Sequence, residues 1–250
     1  MPRSEARRRD RFWLAAVLGS AAVAVVLSTL VAPTDAVQGP IQRLMYLHAP
    51  AAWSAYLCFA LVLLGSVWYL KTRNARADRL ARAAAEAGID FTAITLLTGS
   101  IWGAGTWGTA WVWDARVTTT VAMGLIYLGY LALRGALGGE RGRRAAAMLG
   151  TGGFAIVPIV HFSVLWWRTL HQPPTVLAPS LTPPLHELMG LALGVSFLAF
   201  TVFTVWLLRW RIAVLRRNSD GATSAGVAGL GSDLADSETN DALPRRTEVV

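Results

Sequence analysis

Residues 50–82 read PAAWSAYLCFALVLLGSVWYL and then KTRNARADRLAR. Pro50–Leu70 contains no charged side chain, and it gives way at once to Lys71, Arg73, Arg76, Arg79 and Arg82. A helix needs about 20 consecutive apolar residues to cross a bilayer, and cytoplasmic flanks gather Lys and Arg. The stretch therefore reads as a transmembrane helix with its basic end inside.

Working outward, the same alternation recurs. Apolar segments lie at Phe12–Val31, Pro50–Leu70, Ile89–Ala104, Val117–Leu133, Ala145–Phe162 and Leu185–Leu208. Arg3, Arg7, Arg8, Arg9 and Arg11 precede the first, Arg134, Arg141, Arg143 and Arg144 follow the fourth, and Arg209, Arg211, Arg216 and Arg217 follow the sixth. The alternate connections hold only Arg43, Arg116 and Arg168. The pattern predicts an all-α membrane protein with six transmembrane helices, both termini cytoplasmic and the arginine-poor loops facing outward. The first apolar run is too long for the core of a cleaved signal peptide and more spans follow it, so it reads as a retained helix.

The expected organisation is a cytoplasmic basic N-terminus (1–11), a six-helix domain (12–210) and a cytoplasmic, largely disordered tail (211–250). From Asn218 the chain loses aromatics and gathers Gly, Ser, Ala, Asp220, Asp233, Asp236, Glu238 and Asp241, a composition unable to bury a core.

Composition agrees with a bilayer environment: 54% of the 250 residues are hydrophobic, 15% are charged and the mean hydropathy is +0.44. A net charge of +8 invites a nucleic-acid reading, but the arginines flank apolar blocks and form no single patch, so no nucleic acid is expected as a partner. The sole cysteine, Cys58, excludes disulfides, thiolate clusters and C-x-x-C-H haem attachment within the chain. Lys71 is the only lysine and no phosphate-binding loop surrounds it, so nucleotide-driven work falls to a partner.

The chemistry-bearing residues gather on the outward side. The second outward loop, 102–116, carries Trp102, Trp107, Trp111 and Trp113, with Gly103, Gly105 and Gly108 between them, and ends in Asp114-Ala115-Arg116. It reads either as an interfacial aromatic belt or as a platform for a flat conjugated ligand. His48, His161, His171 and His186 all lie in or beside the first and third outward loops. Neutral imidazole is a common axial ligand of haem iron, and His48 and His171, each near a proline (Pro50, Pro173), flank the tryptophan loop from either side. His161 reads as a structural or supporting residue, and His186 as an ion-pair partner of Glu187. Arg116 reads either as the clamp of a propionate or as half of a salt bridge with Asp114.

Met45–Ala52, Thr98–Gly103, Trp107–Arg116 and His161–Gln172 resemble the haem exporter protein C family of the cytochrome c maturation machinery, among the tryptophan-rich haem-handling membrane proteins. The likeness spans roughly residues 40–210. It implies six spans in a bacterial cytoplasmic (inner) membrane, haem b held at the outer surface, and His48 and His171 as the axial iron ligands. Trp102, Trp107, Trp111, Trp113, Asp114 and Arg116 would complete the site. The role implied is delivery of haem to a periplasmic-side haem chaperone, beside ABC-type ATPase and permease subunits and membrane lipid, without enzymatic activity. Ala110 stands where the family pattern suggests another tryptophan, and the acidic tail is an addition. Two other readings are an electron-transferring b-type cytochrome subunit, which would place its histidine pairs deeper in the bundle, and a transporter, which would need ionisable residues at mid-membrane.

The arginine asymmetry predicts the outcome of labelling with an impermeant thiol reagent in a Cys58→Ala background. A cysteine at position 106 should be modified from outside and one at position 76 spared; the reverse would invert the topology.

Overall fold

The computed structural model describes residues 3–172 and 185–241, and among these it is helical without a strand. The helices are α1 (Arg3–Val26, prolonged by a π-helical turn, Leu27–Val31), α2 (Met45–Thr72), α3 (Ala75–Trp107), α4 (Ala115–Leu137), α5 (Gly139–Gly153), α6 (Ile156–Trp166) and α7 (Glu187–Asp241). A 3-10 turn, Pro40–Leu44, leads into α2. Helices α5 and α6 run as one apolar rod interrupted at Phe154–Ala155. The interruption follows from Pro158, whose ring nitrogen has no proton for the carbonyl of residue 154.

Among the described residues, five helical segments are long and apolar enough to cross a membrane: Arg8–Val31, Pro40–Thr72, Ala115–Leu137, Gly139–Trp166 and Glu187–Ser219. The chain is thus a multi-pass membrane protein, but the third expected span, Ile89–Ala104, differs from the others. It falls in the second part of α3, a 33-residue helix that carries Arg76, Asp78, Arg79, Arg82 and Glu86 before that span and Asp90 at its start.

Helix α3 is built for contact with other helices, which explains its weak hydropathy. Ala77, Ala81, Ala84 and Ala85 are fully buried, and a Cβ on Gly65 of α2 would stand 3.0 Å from Ala77 O and Ala81 Cβ. Small side chains let two backbones approach closely, the usual device where lipid removes the hydrophobic drive between helices. Thr92 and Thr95 return their hydroxyl protons to the carbonyls of Gly88 and Phe91 and so remain tolerable inside the bundle. At the centre, Phe59 of α2 stacks on Tyr127 of α4 with centroids 3.6 Å apart and planes 6° from parallel.

Helix α7 continues to Asp241, past Asn218, where the composition predicts an unstructured tail. Residues 242–250 of the expected tail, Met1 and Pro2, and Pro173 lie outside the described residues.

The end of the bundle opposite the tryptophan loop is locked by ion pairs. Arg134 of α4 holds Asp78 of α3 in a two-pronged bond at 2.6 and 2.8 Å, with both side chains 12% exposed. Glu86 of α3 takes Arg82 at 3.1 Å and also Arg211 of α7. Glu140 of α5 accepts from Arg73 at 3.0 Å and from the Tyr69 hydroxyl at 2.6 Å.

These pairs should differ in weight. Removing one partner of a largely desolvated pair strands the other charge, so Asp78→Ala should cost about 3 kcal/mol. Arg82→Ala, at a 44% exposed position, should cost less than about 1 kcal/mol. Thermal unfolding in detergent measures both, and equal losses would refute this ranking.

Candidate functional site

The tryptophan loop exists because α3 stops and α4 starts abruptly. Gly108 ends α3 at φ +72°, a left-handed conformation in which a side chain would be strained. Six residues later Asp114 begins α4 as its N-cap, its Oδ1 accepting the Val117 N–H at 2.8 Å. The second carboxylate oxygen reaches the loop that follows α6. Asp114 Oδ2 accepts from the Thr169 hydroxyl, from the Leu170 N–H at 3.3 Å and from His171 Nδ1 at 3.0 Å. Thr169 Oγ1 in turn accepts the His171 N–H at 3.0 Å. Burial pushes the Asp114 carboxyl up, but the bonds from Thr169, the Val117 N–H and His171 outweigh it and hold the group below the usual carboxylate range. Burial is also the largest influence on His171 and lowers it, with the Asp114 carboxylate opposing, so the ring is neutral at pH 7.

His48 lies inside the first turns of α2, not ahead of the helix as the apolar pattern suggests. Its Nδ1 stands 3.2 Å from Thr98 Oγ1 of α3. The Thr98 hydroxyl also reaches the backbone carbonyls of Ile94 at 2.7 Å and Thr95 at 3.2 Å. While its one proton goes to a carbonyl, its oxygen accepts from the ring and the ring proton sits on Nδ1. Gly99 makes room for this ring, since a Cβ there would sit 2.9 Å from His48 Cε1. A carboxylate only accepts, so His171 carries its proton on the Nδ1 that faces Asp114. The His48 ring is held in addition by the backbone of Thr95.

His48, His171, Trp107, Trp111, Asp114 and Arg116 line one groove, with Tyr56, Ser100, Thr120 and Leu170 among the other walls. The space it encloses is about 70 Å³, and the groove is open at its mouth. Trp107 meets the His171 ring edge-on at 5.0 Å. Arg116 donates from Nη2 to the carbonyl of His161 at 3.1 Å, while its buried Nε–H has no partner. No Asp114–Arg116 salt bridge forms among the described residues, because the carboxylate is taken by the α4 cap and the third loop. The groove thus offers two imidazole lone pairs, aromatic faces and an arginine donor.

Two of the expected residues fall outside it. Trp102 lies five residues before Trp107, roughly 140° around α3. It backs His48 edge-on at 5.7 Å and donates from its indole N–H to Gln38 at 2.9 Å. Trp113 is 66% exposed and packs its ring edge-on to Trp111 at 5.2 Å. His161 packs against Tyr56 and Phe162 with centroids 6.0 and 4.8 Å away and does not line the groove. His186 caps α7, its Nδ1 accepting the Leu188 N–H at 3.2 Å, in place of an ion pair with Glu187. Thr98, Gly99 and Thr169 carry no chemical signal of their own as site residues, although all three lie in the family-like stretches Thr98–Gly103 and His161–Gln172.

Fold and groove define a class: a polytopic helical membrane protein with a paired-imidazole, aromatic-walled groove at one rim. Comparison with known proteins narrows it. The family model described as Heme exporter protein C (CcmC) matches residues 4–225. Heme exporter protein C of Bradyrhizobium diazoefficiens is 39% identical over 208 residues, which cover 82% of this chain and 79% of that protein. The Escherichia coli K12 protein of the same name is 40% identical over 190 residues, 74% of this chain and 75% of its own. A Marchantia polymorpha protein named putative cytochrome c biosynthesis ccmC-like mitochondrial protein is 41% identical over 155 residues, 62% of this chain and 66% of its own. The chain belongs to the heme exporter protein C family.

Since one carboxylate ties the third loop to α4, Asp114→Ala should loosen both together, at a cost of about 1–3 kcal/mol for the stranded donors. Amide hydrogen exchange should quicken at Val117, Leu170 and His171 and stay unchanged in the middle of α2. Unchanged exchange at Leu170 and His171 would show that the loop is held by other contacts.

Proposed function

We propose that this chain takes haem b as its cargo at the outer face of a bacterial cytoplasmic membrane and hands it to a periplasmic-side haem chaperone during cytochrome c maturation. His48 and His171 hold the iron from its two faces, Trp107 and Trp111 cover the ring, and Arg116 binds a propionate through its unpartnered Nε–H. Trp102 and Trp113 serve the same site from its flanks, the first behind His48 and the second at the exposed edge where a chaperone approaches. The observation that carries the reading is the pair of imidazoles that line one groove, each tethered through Nδ1. A ligating histidine is normally fixed in this way by a partner at its other nitrogen.

Sidedness and company complete the proposal. The arginine-rich, ion-paired end is cytoplasmic, so both termini lie inside and α3 serves as the third of six passes. With no phosphate-binding loop of its own, the chain works beside ABC-type ATPase and permease subunits, as a carrier and not as an enzyme. The relatives' names, heme exporter protein and cytochrome c biosynthesis protein, support this assignment over an electron-transfer subunit.

The absorption spectrum of the purified, haem-loaded protein tests the ligands. His48→Ala or His171→Ala should give five-coordinate or poorly retained haem that added imidazole partly restores. Replacing Trp107 and Trp111 should reduce retention without imidazole rescue. A wild-type six-coordinate spectrum in both histidine variants would refute the ligand assignment.

A further inference from the structure

The two imidazoles have unequal support. His171 Nδ1–H faces the ionised carboxylate of Asp114 at 3.0 Å, whereas His48 Nδ1–H faces the neutral hydroxyl of Thr98 at 3.2 Å. A charge-assisted bond draws the Nδ1 proton outward and raises electron density on Nε2, making the ring the stronger donor to a metal; a neutral hydroxyl does so weakly. Their mountings differ as well. His48 is fixed within α2, wedged between Gly99 and the edge of Trp102, and cannot follow a departing metal. His171 stands on a loop at the rim, 20% exposed, on a carboxylate shared with its neighbours Thr169 and Leu170.

We infer that the two ligands act in sequence: His48, backed by Thr98, is the exchangeable ligand that lets go first, and His171, backed by Asp114, is the retained one. This rests on the haem reading above. Thr98 is then a positioning residue that sets how readily the cargo leaves. The step is a ligand exchange without electron transfer: the Nε2 lone pair of His48 leaves the iron and the imidazole remains neutral, its proton still on Nδ1.

Carbon monoxide binding to the ferrous haem-loaded full-length protein tests the order, because at saturating carbon monoxide the rate is limited by departure of the weaker histidine. Thr98→Val should raise that limiting rate by about 10-fold, in line with the usual effect of removing a ligand's hydrogen-bond partner. Thr98→Asp, which gives His48 a carboxylate of its own, should lower it. In the carbon monoxide complex the vibrations of the iron and its remaining ligand should shift with Asp114→Asn and not with either Thr98 variant. A limiting rate unmoved by both Thr98 variants, or vibrations that follow Thr98 and ignore Asp114, would overturn the order. Should Asp114→Asn lose haem altogether, the opposed pair at Thr98, on a different helix, still decides. Failure of the underlying haem reading is distinguishable, since it appears as histidine variants with unchanged spectra, whereas failure of the order leaves both histidines necessary.

Discussion

The carboxylate of Asp114 is the interaction on which the rim around the tryptophan loop depends. One oxygen closes the first turn of α4 and the other gathers a hydroxyl, an amide and an imidazole from a loop more than fifty residues away in sequence. Without it, the tryptophan segment would have a frayed helix on one side and the loop bearing His171 would lose its tie to the bundle. A carboxylate can do this because it is acceptor-only, with room for about four hydrogen bonds, and each donor it receives lowers the cost of keeping its charge away from water.

The remainder of the bundle is held by a different balance. Lipid offers apolar side chains as good a surrounding as a neighbouring helix does, so helix pairing rests on close fit and on satisfied polar groups. Helices α2 and α3 meet through alanine and glycine, and α2 and α4 through the Phe59–Tyr127 stack. Electrostatics are confined to the ends, with arginine–carboxylate pairs at one and hydrogen-bonded histidines at the other. That division separates the ion-paired end of the molecule from the end proposed to meet a ligand.

Much of this was legible in the sequence because bilayers impose a coarse rule. Uncharged runs such as Pro50–Leu70 declare themselves, and so does the arginine asymmetry. Helix α3 was the exception, since residues suited to tight helix contact are small and score poorly as apolar, and its charged first half sits where the pairs with Arg134 and Arg211 form. At the site, histidines and tryptophans stood out by rarity and order. The use of Asp114 did not, because its choice between Arg116 and the third loop is made only when residues 114 and 171 meet. Thr98 carried no mark, as a threonine within a helix ordinarily bonds back to its own backbone, and its acceptor face matters only once His48 lies across from it. Helical rotation, invisible in a motif read as a string, separated Trp102 from Trp107.

The ion pairs at the far end have a mechanical consequence. A helix of 23 residues such as α4 is roughly 35 Å long at about 1.5 Å per residue. Fastened at the Arg134 end, it behaves as a lever whose displacement grows along its length, so a tilt of about 2° carries its opposite tip roughly 1 Å. That tip bears Asp114, and through it the ring of His171. A slight rocking of helices at the arginine-rich surface is therefore delivered to the opposite rim as a change in the gap between two imidazoles, with no need for any segment in between to refold.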